Sequence, residues 1–185
     1  DAPPPQAPPA GSWFDGSTGQ LLELFEQGGL PMARQWGVPF ELREEQAGRW
    51  LPQRGAYEFE LRHGDGGDGG EQTLLLELGA GRCATLQRLL QRAPLPADLR
   101  GSFFCADIAS TWRIEGEQLR VEGPLMRAQS PWTLRGIDAE WVELQSQGYG
   151  LQPSQMLRIE RSRTGAISGL LLDSARVKAL RFTPC

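Results

Sequence analysis

The sequence contains one lysine (Lys178), one histidine (His63) and no asparagine, and each scarcity closes a route. A Ser-x-x-Lys nucleophile pair needs serine three places before Lys178, where Ala175 stands, and Ser174 is one residue too far. A Ser–His–Asp triad would have to use His63. That residue opens the run His63-Gly64-Asp65-Gly66-Gly67-Asp68-Gly69-Gly70. A catalytic base must be held rigidly, so the run reads as an exposed hairpin tip. Its Asp65/Asp68 spacing is loosely that of calcium-binding glycine-rich repeats, but those stack many copies and here there is one. Neither metal nor cofactor is expected. Three cysteines, Cys83, Cys105 and Cys185, are too far apart for a CxxC site. They read as plain thiols, with a Cys83–Cys105 disulfide as the alternative in an oxidising compartment. No apolar run approaches the ~20 residues of a membrane-spanning helix. The net charge of −4 gives no reason to expect nucleic acid as a partner. Membrane insertion is likewise not expected.

What is abundant is punctuation. The 23 glycines and 14 prolines make a fifth of the 185 residues, which implies many turns. Eighteen of the nineteen basic residues are arginine, a bias of GC-rich bacterial genomes. The start, Asp1 to Ala10, is polar and Pro-rich, as in a tail after a removed signal peptide or an interdomain linker. A periplasmic or secreted protein is therefore expected.

From Gly11 onward, short alternating segments recur about every ten residues, separated by Gly, Pro, Asp or Ser. That is the pattern of an antiparallel sandwich or barrel. Gln27-Gly28-Gly29, Glu115-Gly116-Glu117 and Thr164-Gly165 are explicit turns. Short connections favour a meander, and closing it removes the exposed edges. Ser17–Gln27 and Thr85–Gln91, the two stretches with some helical character, are assigned as strand and connector.

The chain also resembles itself. Gly11-Ser12-Trp13-Phe14 returns as Gly101-Ser102-Phe103-Phe104, and Leu22/Leu24 as Trp112/Ile114. Pro39-Phe40-Glu41-Leu42-Arg43 returns as Pro131-Trp132-Thr133-Leu134-Arg135. Trp50 is matched to Trp141, and Phe59-Glu60-Leu61 to Leu157-Arg158-Ile159. The ribbon Leu76–Leu86 has its near-copy in Gly169–Phe182, with arginine after the turn and leucine four places later. The expectation is all-β: two tandem antiparallel up-and-down barrels of about eight strands each, lipocalin- or avidin-like. Residues 1–10 would be a tail, 11–94 the first barrel and 95–185 the second, with Gln91–Arg100 as linker.

Carboxylate pairs such as Glu44-Glu45 and Glu58/Glu60 sit at positions typical of a solvated strand face. Recurring aromatics argue for core layers. One segment differs: Gly148-Tyr149-Gly150-Leu151-Gln152-Pro153-Ser154 lengthens the second repeat and sets a tyrosine between two glycines. Gly148, Tyr149, Gly150 and Gln152 are the candidate interaction residues, because loops carry contacts that ladders cannot.

Four pieces together resemble a known family: Gly101-Ser102-Phe103-Phe104, Thr111-Trp112-Arg113-Ile114, Glu117-Gln118-Leu119 and Val177-Lys178-Ala179-Leu180-Arg181-Phe182. They are similar to the C-terminal accessory β domains of class C β-lactamase-like serine hydrolases of the D-aminopeptidase type, best over Gly101–Phe182. The resemblance implies two eight-stranded barrels that follow a catalytic domain, one of which lends a loop that limits access to its active site. The family's Ser-x-x-Lys, Tyr-x-Asn and His-x-Gly elements have no coherent set here. The implied role is a non-catalytic accessory module, partnered by a β-lactamase-like catalytic domain in the same or a neighbouring polypeptide. The alternative is a free-standing periplasmic small-ligand-binding barrel.

Overall fold

A computed structural model describes residues 7–53, 58–64, 72–79, 81–123, 132–146, 154–174 and 179–185, and their regular structure is all β. The chain divides into two compact units, Asp1–Leu90 and Gln91–Cys185. Each is a closed eight-stranded barrel. The first comprises β1 (Gly11–Asp15), β2 (Gln20–Gln27), β3 (Leu30–Gln35), β4 (Val38–Gln46), β5 (Arg49–Pro52), β6 (Phe59–His63), β7 (Thr73–Leu78) and β8 (Arg82–Arg88). The second comprises β9 (Gly101–Cys105), β10 (Ser110–Glu115), β11 (Gln118–Glu122), β12 (Trp132–Gly136), β13 (Trp141–Gln145), β14 (Ser154–Arg161), β15 (Ile167–Asp173) and β16 (Leu180–Pro184).

Within each barrel every strand pairs antiparallel with its sequence neighbours. β8 returns to β1 through Trp13↔Arg88 and Phe14↔Gln87, and β16 to β9 through Thr183↔Phe104 and Pro184↔Phe103. Period-two alternation sets the interior. In β10, Ser110, Trp112 and Ile114 are buried while Arg113 and Glu115 are exposed. An eight-stranded barrel is about as wide as its inward side chains can fill. Trp13, Phe40, Trp50, Leu61 and Leu76 fill the first. Phe103, Ile114, Leu157, Trp112 and Phe182 fill the second, the last two stacked with ring centroids 3.8 Å apart.

Ladder register tests the internal repeat residue by residue. Leu24 pairs with Ala33 and Ala33 with Phe40; Ile114 pairs with Leu119 and Leu119 with Trp132. Phe40 and Trp132 are therefore equivalent, as expected. The Trp50–Trp141 match is off by one. Trp50 pairs with Leu61 and Val142 with Leu157, so Val142 is the counterpart of Trp50. A one-residue slip exchanges the two faces of a strand. Val142 and Leu144 accordingly join the core, while Trp141, also buried, stands on the outer face with the Arg158 guanidinium 5.9 Å from its ring.

Two further matches shift by two residues, which preserves the face. Leu61, and not Phe59, corresponds to Leu157. In the ribbons, Leu86 corresponds to Phe182, since both pair with the equivalent leucines Leu74 and Leu170. The expected connector beginning at Thr85 is, up to Arg88, the second half of β8. All three cysteines are free thiols, with Cys105 buried and Cys83 and Cys185 exposed.

Candidate functional site

His63 is exposed, as expected, but it ends a strand and is not part of a loose tip. It is the last residue of β6, on the same inward face as Leu61. Its ring meets Trp50 edge-on at 5.1 Å, and its backbone N–H donates to Gly48 O at 3.3 Å. A Cβ on Gly48 would stand 3.0 Å from the imidazole, so this turn is shaped around it. The equivalent position in the second barrel is Ile159, part of the core. His63 therefore packs against Trp50 at the rim of an apolar interior while remaining exposed.

At the opposite end of the first barrel the inward layer is polar. Asp15 accepts hydrogen bonds from Ser17 N at 2.8 Å, Ser17 Oγ at 2.6 Å, Thr18 Oγ1 at 2.8 Å and Thr85 N at 3.2 Å. Beside it Gln35 Nε2 donates to Gln20 Oε1 at 3.0 Å, and all three residues are buried. Burial works to raise the Asp15 pKa, but the hydrogen bonds from Ser17, Thr18 and Thr85 together hold it below the ordinary aspartate value. The arrangement ties the β1–β2 turn to β8 across the seam that closes the barrel. It is structural.

Three of the four paired carboxylates are occupied as well. Glu44 accepts from Gly48 N at 2.9 Å, and Arg49 bridges Glu45 at 2.9 Å and Glu60 at 2.6 Å. The Arg49 hydrogen bond holds the Glu60 carboxyl below its usual range.

The candidate interaction residues Gly148, Tyr149, Gly150 and Gln152 lie outside the described residues. Their anchors do not: Gln145 pairs with Ser154, so the segment connects β13 to β14. Leu144 corresponds to Pro52 and Gln155 to Phe59, which gives this connection four more residues than its counterpart. A second lengthening went unnoticed in the sequence. Phe40 follows Ala33 through the tight turn Trp36–Gly37, whereas the equivalent Trp132 follows Leu119 at almost twice the distance, six residues longer. In an up-and-down barrel alternate connections leave the same end, so the β11–β12 and β13–β14 connections share one end of the second barrel.

The segment read as linker, Gln91–Arg100, belongs structurally to the second barrel and closes its other end. Ala93 N donates to Ile137 O at 3.1 Å, and Leu99 joins the core. Arg161 grips Asp98 with both guanidinium nitrogens, at 2.5 and 3.1 Å, and holds its carboxyl below the ordinary value. The Arg92 guanidinium lies 2.9 Å from the buried carboxylate of Glu143. Gly136 admits the strap: any Cβ there would overlap the Ala93 carbonyl. Between strap and sheet lies a cleft of about 370 Å³, whose lining includes Arg135, Glu117, Thr133, Gln145, Pro94 and Leu95.

No family model matches the chain, and no curated protein matches it.

Proposed function

We propose that the chain is a non-catalytic accessory module of a β-lactamase-like serine hydrolase acting on peptides or esters. It packs on the catalytic domain and gates its active site. The observation that carries this reading is the shared end of the two lengthened connections, β11–β12 and β13–β14. Extra residues placed together at one end of a barrel can cover a partner's opening, whereas residues scattered around it could not. Filled interiors support the same reading. With Trp13, Trp50 and Phe40 in one lumen and Trp112 and Phe182 in the other, the binding surfaces left are outside and at the ends. Tyr149 suits docking, since tyrosine offers large contact area with few rotors to freeze.

The test joins the chain to a β-lactamase-like catalytic domain from the same or a neighbouring polypeptide and measures kcat/KM over substrates of graded size. The expected outcome is a narrowed size range that widens when Tyr149–Gln152 is deleted. Identical selectivity with the chain, without it and with the deletion would refute the gating role.

A further inference from the structure

The cleft under the strap holds two opposite charges that do not meet. Arg135 and Glu117 both line it, yet no ion pair within 4.0 Å joins them. Arg135 stands opposite Glu143 in the β12–β13 ladder, but the Glu143 carboxylate is taken by Arg92 at 2.9 Å. Among the described residues Arg135 keeps only a 3.5 Å hydrogen bond to Gln145 Oε1. The Glu117 main chain is fixed, since its carbonyl accepts from Leu134 N at 2.8 Å. Its carboxylate has no ion-pair partner among the described residues.

The roof over these charges is pre-formed. Arg92–Glu143, Ala93–Ile137 and the Gly136 contact hold residues 92–94 against the sheet, so a ligand would not have to order them. Thr133 and Gln145 add hydrogen-bonding groups, and Pro94 and Leu95 add apolar surface. A volume of about 370 Å³ suits a small molecule. A bare anion would be attracted by Arg135 and repelled by Glu117, and a bare cation the reverse. Only a molecule carrying both charges satisfies both walls.

We propose that this cleft binds a small zwitterion of the amino-acid or dipeptide class, its carboxylate on Arg135 and its ammonium on Glu117. The inference is independent of any hydrolase partner.

The test titrates the full chain by amide NMR with glycylglycine, with N-acetylglycine (no ammonium) and with glycinamide (no carboxylate). Saturable shifts of the Gly136 and Gln145 amides are expected with glycylglycine, with each control at least about tenfold weaker, the scale of one charge-assisted contact. E117Q should weaken glycylglycine but strengthen N-acetylglycine, and R135Q should weaken both. A purely structural role would not produce that crossover. Both side chains are exposed, so the variants should keep the wild-type amide fingerprint. Should either unfold, the three-ligand comparison on the wild-type chain decides alone. Absence of saturable shifts, or N-acetylglycine binding as tightly as glycylglycine, overturns the proposal.

Discussion

Replacing Asp15 by asparagine should weaken the first barrel and remove one component of its acid sensitivity. The carboxylate takes two donors on each oxygen: Ser17 N and Oγ on Oδ1, Thr18 Oγ1 and Thr85 N on Oδ2. Asparagine keeps one acceptor oxygen and turns an amide donor towards Thr85 N–H, a donor facing a donor. Thr18 can rotate its hydroxyl to accept; the backbone N–H cannot. With one charge-assisted bond lost and one donor left unpaired, the expected cost is about 1–3 kcal/mol. The pH dependence follows from the direction of the shift. Because the folded carboxyl titrates below its unfolded value, Asp15 adds stability that is complete above the unfolded pKa near 4. That stability is lost as pH falls through the folded pKa. Urea unfolding of wild type and D15N should therefore differ by a constant amount from about pH 5 to 7, and the gap should narrow below about pH 4. Hydrogen exchange at the Thr85 amide should accelerate in the variant. A gap that widens on acidification, or no gap at neutral pH, would refute the reasoning.

Trp50→Ala should cost about 3–5 kcal/mol as a full core truncation, and the half-buried Trp132→Ala about 2–3, both read by urea unfolding. Gly136→Ala should dislodge the strap, seen as faster tryptic cleavage after Arg92 while the first barrel keeps its protection. A thiol reagent should label Cys83 and Cys185 at once and Cys105 only on unfolding; three fast thiols would contradict the burial of Cys105.

The barrels were legible because two signals agree: alternation fixes which residues face inward, and turn residues every ten or so positions fix strand length. The register was less so. Trp50 and Trp141 were matched by aromatic identity, but identity carries no information about face, and Trp141 is buried on the outer face with the Arg158 guanidinium near its ring. His63 was judged by the glycines after it, when Trp50 across the β5–β6 pair decides its setting. The long β11–β12 connection escaped for an arithmetic reason. The β10–β11 hairpin is four residues shorter than β2–β3 and the next connection six longer, so the repeat offset moves by only two. The role of Gln91–Arg100 hung on Gly136 and Glu143, far away in sequence, and prolines alone read as a spacer.

The differences between the barrels are not spread evenly, and their placement bears on function. Through the middle layers each position trades one apolar residue for another: Leu22 for Trp112, Trp50 for Val142, Leu86 for Phe182. Such apolar exchange, large for small at one position and small for large at another, keeps a core filled and says little about use. At the end where β1 meets β2, the first barrel carries the hydrogen-bonded layer Asp15, Gln20 and Gln35. Register places Cys105, Ser110 and Val121 there in the second barrel. Among the described residues the Ser110 hydroxyl keeps a single hydrogen bond, to Glu122 O at 3.2 Å, and the acid is gone. This is also the end from which both lengthened connections leave. The first barrel thus locks that end with its own polar side chains, while the second gives up the lock where it gains chain. The strap and the shorter β10–β11 hairpin alter the opposite end as well, but this end combines the lost polar layer with both longer connections, and the gating role proposed above predicts that a partner meets the second barrel here.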